Sequence, residues 1–169
     1  NAGAHGTEQK DHLESVTVRH DDGAIIVHPR DWLEPAYRHT IIKASPRPRP
    51  YIVLGVSLLL PKADKHDLVR LADEHADYRK RTQPTGACAG STFANPPGDF
   101  AGRLLEVSGM KGFSVGPVAF SIKHSNFIVN SGGGTAAQVR ELIATGKAEV
   151  LERFGVELMT EIEDLGEPV

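Results

Sequence analysis

The chain has 169 residues, enough for one ordinary domain or two small ones, and its 40% apolar and 24% charged content fits a soluble globular protein. A net charge of −3 gives no general attraction to nucleic acid or acidic membrane, and the longest apolar run, 51–60, is too short to cross a bilayer. A single cysteine excludes an internal disulfide and suits a reducing cytoplasm; eight scattered histidines without His-x-x-x-His or Cys-x-x-Cys spacing predict no metal site.

The chain opens Asn1-Ala2-Gly3-Ala4-His5-Gly6 with no initiator Met, which reads as the interior of a longer protein. Small residues there allow close backbone approach, as in nucleotide-binding loops, or simply fill a turn. Val16 and Val18 alternate with polar residues over 12–20, Asp21-Asp22-Gly23 is a hairpin turn signal, and 24–28 is the return strand ended by Pro29. Residues 30–35 predict one helical turn around Trp32. Residues 37–43, half polar and half apolar, predict a strand end that offers Arg38 to a cleft. Alternate prolines make 45–50 a stiff exposed loop. Residues 51–60 predict a central strand buried on both faces.

Asp64 caps a predicted helix to Thr82, with Leu68, Leu71, Ala72 and Ala76 on its buried stripe. Arg79, Lys80 and Arg81 load its last turn, either to complement the helix dipole or to bind an anion. Gln83-Pro84 stops the helix and marks a domain edge, giving domains 1–82 and 83–169. Gly90-Ser91-Thr92-Phe93-Ala94-Asn95-Pro96-Pro97 then combines glycine freedom with proline restraint. It reads as a tight turn before an Asp99-capped helix, or as a device that holds Ser91 and Asn95 in one shape. Cys88 reads as a small packing residue. A helix over 100–108 stops at Gly109, and strands are expected at 118–122 and 127–130. Thr135 caps a long helix to Phe154, with Val139, Leu142, Ile143, Val150 and Phe154 inward. Residues 156–163 predict a last strand whose Glu157, Glu161 and Glu163 share a face that is either solvated or functional.

Together these segments resemble one family, UDP-N-acetylenolpyruvoylglucosamine reductase (MurB, or UDP-N-acetylmuramate dehydrogenase). The family's Asn-Ala-Gly-Ala-x-Gly flavin loop resembles residues 1–6, and its Tyr-Arg-x-Ser resembles Tyr37-Arg38-His39-Thr40. Its Gln-Pro and Ala-Gly-Ser-x-Phe-x-Asn-Pro signature resembles Gln83-Pro84 and 89–96. Lys-His-x-Asn-Phe-x-Val-Asn stands at 123–130, and the closing Gly-Val-x-Leu-x-x-Glu-Val pattern resembles 155–166. Order and spacing agree along the whole chain. Ala94 stands where many members have Lys, and Met159-Thr160 where Glu-Pro is commoner. The short link 60–64 resembles the branch without a tyrosine-bearing insertion.

The resemblance implies an α+β fold: part of a PCMH-type FAD-binding domain over 1–82, then the family's C-terminal α/β substrate domain over 83–169. It implies a cytoplasmic, monomeric oxidoreductase of peptidoglycan precursor synthesis. FAD and NADPH would reduce UDP-N-acetylglucosamine enolpyruvate to UDP-N-acetylmuramate, with no nucleic-acid, membrane or metal partner. Arg38, Ser91 and Glu161 take the catalytic positions, Ser91 as proton donor. Asn1, Ala2, Gly3 and Gly6 would contact the cofactor, and Asn95, His124, Arg79 and Arg81 the substrate. Because the family's N-terminal flavin region has no counterpart in these residues, the alternative expectation is a flavin-free, inactive fragment that binds a UDP-sugar.

Overall fold

The computed structural model describes residues 1–46 and 49–165. Arg47 and Pro48 of the predicted proline loop, and Gly166 of the closing pattern, lie outside the described residues. The architecture is α+β, and the chain divides into two compact units, Asn1–Leu71 and Ala72–Val169.

In the first unit β1 (Gly3–Ala4) and β2 (Thr7–Glu8) form a small hairpin turning at His5 and Gly6. The predicted hairpin follows: β3 (Leu13–His20) pairs β4 (Ile25–Pro29) antiparallel across the Asp21–Gly23 turn, where Gly23 takes φ +87°. Its second neighbour is β5 (Tyr51–Leu58), giving the order β4-β3-β5. Alternation puts Val16 and Val18 on one face; Leu13, across a register shift in the β3–β5 pairing, and Leu33 join them in the unit's buried cluster. The 3-10 turn Arg30–Leu33 supplies Leu33, with Trp32 half-buried beside it.

Two expectations change here. Residues 51–60 are not a doubly buried central strand: β5 stands at the sheet edge, and Ile52, Val53, Leu54 and Val56 are each about half exposed. An apolar run states that a strand fits a buried position, but burial needs a layer over each face, and none lies there among the described residues. Residues 37–43 are not a strand end. Tyr37 and Arg38 form a turn closed by reciprocal Ala36–His39 hydrogen bonds, and Thr40 caps the short helix α1 (Ile41–Ala44) by accepting from the Lys43 amide.

Helix α2 (Lys65–Thr82) starts where predicted, with Asp64 Oδ1 accepting from the His66 and Asp67 amides. Its apolar stripe is not buried, however: Leu68 and Leu71 are about half exposed. The division between the units falls inside this helix.

The second unit is one antiparallel sheet in the order β6-β9-β8-β7 carrying two helices. Its strands are β6 (Ala87–Ser91), β7 (Ser114–Val115), β8 (Val118–Phe120) and β9 (Phe127–Asn130); its helices are α3 (Ala101–Val107) and α4 (Ala136–Phe154). Thr135 and Gln138 form a capping box at the start of α4, and Gly155 ends it at φ +67°. The predicted inward face holds: Leu142 and Val150 are buried, and Val139, Ile143 and Phe154 pack on the same core, which includes Phe93, Leu104, Leu105 and Phe120. Residues 156–163 do not form a strand. Leu158 is buried, but backbone pairing is limited to a bridge between Thr160 and Phe93, because the stretch faces a loop. The helix predicted over 100–108 is shorter, with Phe100 rather than Asp99 as the capping residue. Cys88 is exposed, not packed.

Candidate active site

The serine stretch begins as a strand that local pattern did not reveal. β6 pairs β9, and a register shift between Cys88 and Ser91 admits Gly90 at φ +87°, a conformation unfavourable for residues with a side chain. The bulge brings Ser91 opposite Phe127 at the end of the sheet. The chain beyond it is then held on both edges. On one edge the Thr92 amide donates to the Asn126 carbonyl at 2.7 Å, and the buried Asn126 side chain brackets Phe93. Its Oδ1 accepts from the Phe93 amide at 2.9 Å, and its Nδ2 donates to the Phe93 carbonyl at 2.7 Å. On the other edge the Ala94 amide donates to the Met159 carbonyl and the Glu161 amide to the Thr92 carbonyl, both at 2.9 Å. The half-buried Glu161 is thereby fixed beside the serine loop without a strand of its own.

Asn95 closes the turn into α3: its Oδ1 accepts from the Ala101 amide at 3.1 Å, satisfying one of the helix's open donors. Asp99 accepts from the Phe100 amide and pairs with Arg103; that hydrogen-bonded guanidinium holds the Asp99 carboxyl down to about 2. A cavity of about 440 Å³ opens beside these groups, lined by Ser91, Asn95, Arg103, Lys123, His124 and Asn126 among others. His124 reaches it along the first turn of α3. A Cβ on Gly102 would lie 2.9 Å from His124 Cε1, so the ring needs glycine there. His124 Nδ1 accepts from the Asn126 amide at 3.2 Å, which leaves the proton of the neutral ring on Nε2. Burial pushes the His124 pKa below its ordinary value, partly offset by a hydrogen bond with its own backbone and by the charge of Glu106.

Of the residues singled out from sequence, Ser91, Asn95 and His124 therefore share one cavity, with the Glu161 backbone bonded to the same loop. Arg79 and Arg81 sit exposed on the last turn of α2, outside that lining; the Lys123 ammonium instead donates to the Lys80 carbonyl there. Asn126 and Gly102 carry much of the geometry and were not singled out. Asn126 stands within the Lys-His-x-Asn segment, which was the one available signal.

The remaining candidates gather in the first unit. The Asn1 side chain donates to the Ala36 carbonyl at 2.9 Å and to Glu8 Oε2 at 3.1 Å, and accepts from the Lys10 amide. Arg38, half-buried at φ +54°, has its guanidinium over the Tyr37 ring at 4.9 Å and within 3.4 Å of the Gly3 carbonyl. Asn1, Gly3 and Arg38 are thus one cluster. His5 and Gly6, both at positive φ, form an exposed turn beside it, and the Cβ position of Gly6 faces open space.

Comparison with known proteins places this geometry. Residues 82–165 match the family described as the C-terminal domain of UDP-N-acetylenolpyruvoylglucosamine reductase. The UDP-N-acetylenolpyruvoylglucosamine reductase of Bacillus subtilis is 36% identical over 98% of this chain, which spans 54% of that protein's length. A Bacillus licheniformis protein of the same name is 38% identical over 99% of the chain and 90% of its own length. The crystal structure of the Thermus caldophilus reductase superposes with a TM-score of 0.81 at 39% identity, covering 96% of this chain and 56% of that one. The chain spans about half the length of most of these relatives, and it belongs to the UDP-N-acetylenolpyruvoylglucosamine reductase family.

Proposed function

We propose that this polypeptide supplies the substrate-side groups of a flavin-dependent reductase that converts UDP-N-acetylglucosamine enolpyruvate to UDP-N-acetylmuramate in peptidoglycan precursor synthesis, with FAD and NADPH as cofactors. The observation that carries the reading is the serine loop, held on one edge by Asn126 and on the other by 159–161, beside a cavity lined by three basic side chains, Arg103, Lys123 and His124. In this reading 83–169 is the substrate domain and 1–82 belongs to the flavin side.

The first unit fits one side of a dinucleotide cofactor: an exposed turn with open space at Gly6, next to the half-buried Arg38 guanidinium. Asn1, Ala2, Gly3 and Gly6 would hold it. FAD, when bound, supplies the hydride that the enolpyruvyl group accepts. The chain's own residues handle charge and protons. Reduction of an enol ether conjugated to a carboxylate places extra negative charge on that carboxylate. Arg38 is suited to it, because a planar guanidinium matches both oxygens. Glu161, its backbone bonded to the serine loop, is the second group assigned to stabilising that charge. The Ser91 hydroxyl delivers the proton to the α-carbon; a serine is a weak acid, so it acts only against a strongly basic, carbanion-like centre. His124, neutral and with its proton on Nε2, donates to the nucleotide's phosphates without a charge of its own, and Asn95 contacts the same part of the ligand. Arg79 and Arg81 would add phosphate contacts.

Purified protein is incubated with FAD and assayed for flavin absorption, for NADPH oxidation dependent on the enolpyruvyl substrate, and for UDP-sugar binding. Flavin retention with product formation supports the reductase. UDP-sugar binding with neither flavin nor NADPH oxidation supports the fragment reading. Ser91→Ala is expected to lower product formation by about 10²–10⁴-fold while leaving flavin reduction by NADPH intact. Wild-type product formation by that variant removes Ser91 from the mechanism.

A further inference from the structure

We infer that Asn126 is a positioning residue that sets Ser91 and His124 in common register on the cavity; the inference deepens the functional reading above and rests on it for the ligand. Four hydrogen bonds converge on this one residue. Its side chain pairs with both polar groups of Phe93, as a neighbouring strand would, at 2.9 and 2.7 Å. Its carbonyl accepts from the Thr92 amide at 2.7 Å, and its own amide donates to His124 Nδ1 at 3.2 Å. Asn126 is only 4% exposed and Phe93 1%, so water cannot replace these partners.

The arrangement joins two groups that lie far apart in the chain. β6 ends at Ser91, opposite Phe127, and regular pairing with β9 stops there. Past that point the strand ladder no longer fixes the loop. The Asn126 carboxamide extends the pairing by one peptide, and so holds the residues directly after Ser91 at the height of the sheet. The same residue's amide holds the His124 ring, selecting the tautomer with Nε2–H. A shift of Asn126 therefore moves the serine hydroxyl and the imidazole donor together. The carboxamide meets both needs at once: aspartate keeps the acceptor for Phe93 N–H but turns a lone pair toward the Phe93 carbonyl, and leucine offers neither.

The test compares the 169-residue chain with Asn126→Asp, Asn126→Ala and Leu142→Ala. Leu142 is buried in the same unit and lies outside the cavity lining, so its variant controls for destabilisation alone. UDP-N-acetylglucosamine binding is measured by calorimetry well below each variant's melting temperature. Imidazole ¹⁵N shifts of His124 and amide exchange at Thr92 and Phe93 are read by NMR. Both Asn126 variants are expected to weaken binding by about tenfold or more, to accelerate exchange at Thr92 and Phe93, and to move the His124 ring off the single Nε2–H tautomer. Leu142→Ala is expected to bind as the wild type does and to keep the His124 shifts. Unchanged binding and unchanged shifts in the Asn126 variants overturn the inference, as does equal loss of binding in Leu142→Ala. If the wild type binds no UDP-sugar, the ligand assignment fails by itself. The NMR comparison then decides the positioning role: altered exchange and ring shifts in the Asn126 variants uphold it, and unaltered ones overturn it.

Discussion

Arg38 sits at φ +54° in a two-residue turn, in a region where a residue with a Cβ is disfavoured by about 1–2 kcal/mol. Glycine would remove that cost and restore the turn without strain, so sequence economy alone does not explain an arginine there; its guanidinium, placed over Tyr37 and near the Gly3 carbonyl, does. Under the proposed function, Arg38→Gly is expected to leave the melting temperature unchanged or slightly raised while sharply lowering turnover of the enolpyruvyl substrate. A fall in melting temperature of the same proportion as the loss in turnover would assign Arg38 a structural role. His124 makes the second residue-scale prediction. Its pKa in the folded state is below the ordinary 6.5, because burial disfavours the imidazolium. Below about pH 6.5 the unfolded chain takes up a proton that the folded chain still refuses. Stability is therefore complete above 6.5 and declines as pH falls toward the folded-state value. Urea melts at pH values on either side of that point are expected to show a steeper decline for the wild type than for His124→Gln; parallel curves would contradict the burial argument. Gly102→Ala, which drives a methyl to within 2.9 Å of His124 Cε1, should displace the ring and weaken ligand binding with little loss of α3.

At the scale of elements, the parts with local chemistry behaved as their sequences state. The Thr135–Gln138 capping box, the Asp64 cap and the Asp21–Gly23 turn each bond to amides within a few residues, so their signals are contiguous. Thr135→Ala is expected to cost about 1 kcal/mol by chemical denaturation, because the first-turn amides of α4 lose their acceptor. The parts that depend on a distant partner were not legible. β6 exists because β9 lies some forty residues downstream, so 87–91 looked like a turn rich in small residues. Residues 156–163 carry the alternation of a strand, but the partner their backbone meets among the described residues is the serine loop, where a single bridge joins Thr160 to Phe93. The site divides the same way. Ser91, Asn95 and His124 stood in recognisable motifs. Asn126 stood in the same segment as His124, but its positioning role did not show, because a carboxamide that pairs with a peptide 33 residues away leaves no periodicity behind.

The two units bury their apolar residues differently, and this sets the behaviour of the whole molecule in solution. In the second, helices α3 and α4 lie on the sheet, and Leu104, Leu105, Phe120, Leu142 and Val150 are all at or below 1% exposure. In the first, the described residues bury a small cluster of four, while Ile25, Val27, Ile52, Leu54, Leu59 and Leu60 remain from about half to 71% exposed. Exposed apolar side chains in this number bind hydrophobic dyes and promote association. Because Ile52 and Leu54 are on an edge strand and about half exposed, charge there removes little packing and also blunts the open edge. Ile52→Lys with Leu54→Lys is therefore expected to lower anilinonaphthalene sulfonate fluorescence and raise the concentration at which the protein stays monodisperse, at a stability change within about 0.5 kcal/mol per site. The opposite pair, Val16→Lys with Val18→Lys, puts two charges where exposure is 1% and 0%, and should unfold the first unit outright. The sole tryptophan, Trp32, packs on that same cluster, so its emission reports the difference directly: unshifted in the edge-strand variant and red-shifted in the buried one. A red shift in both would mean that β5 is buried in solution.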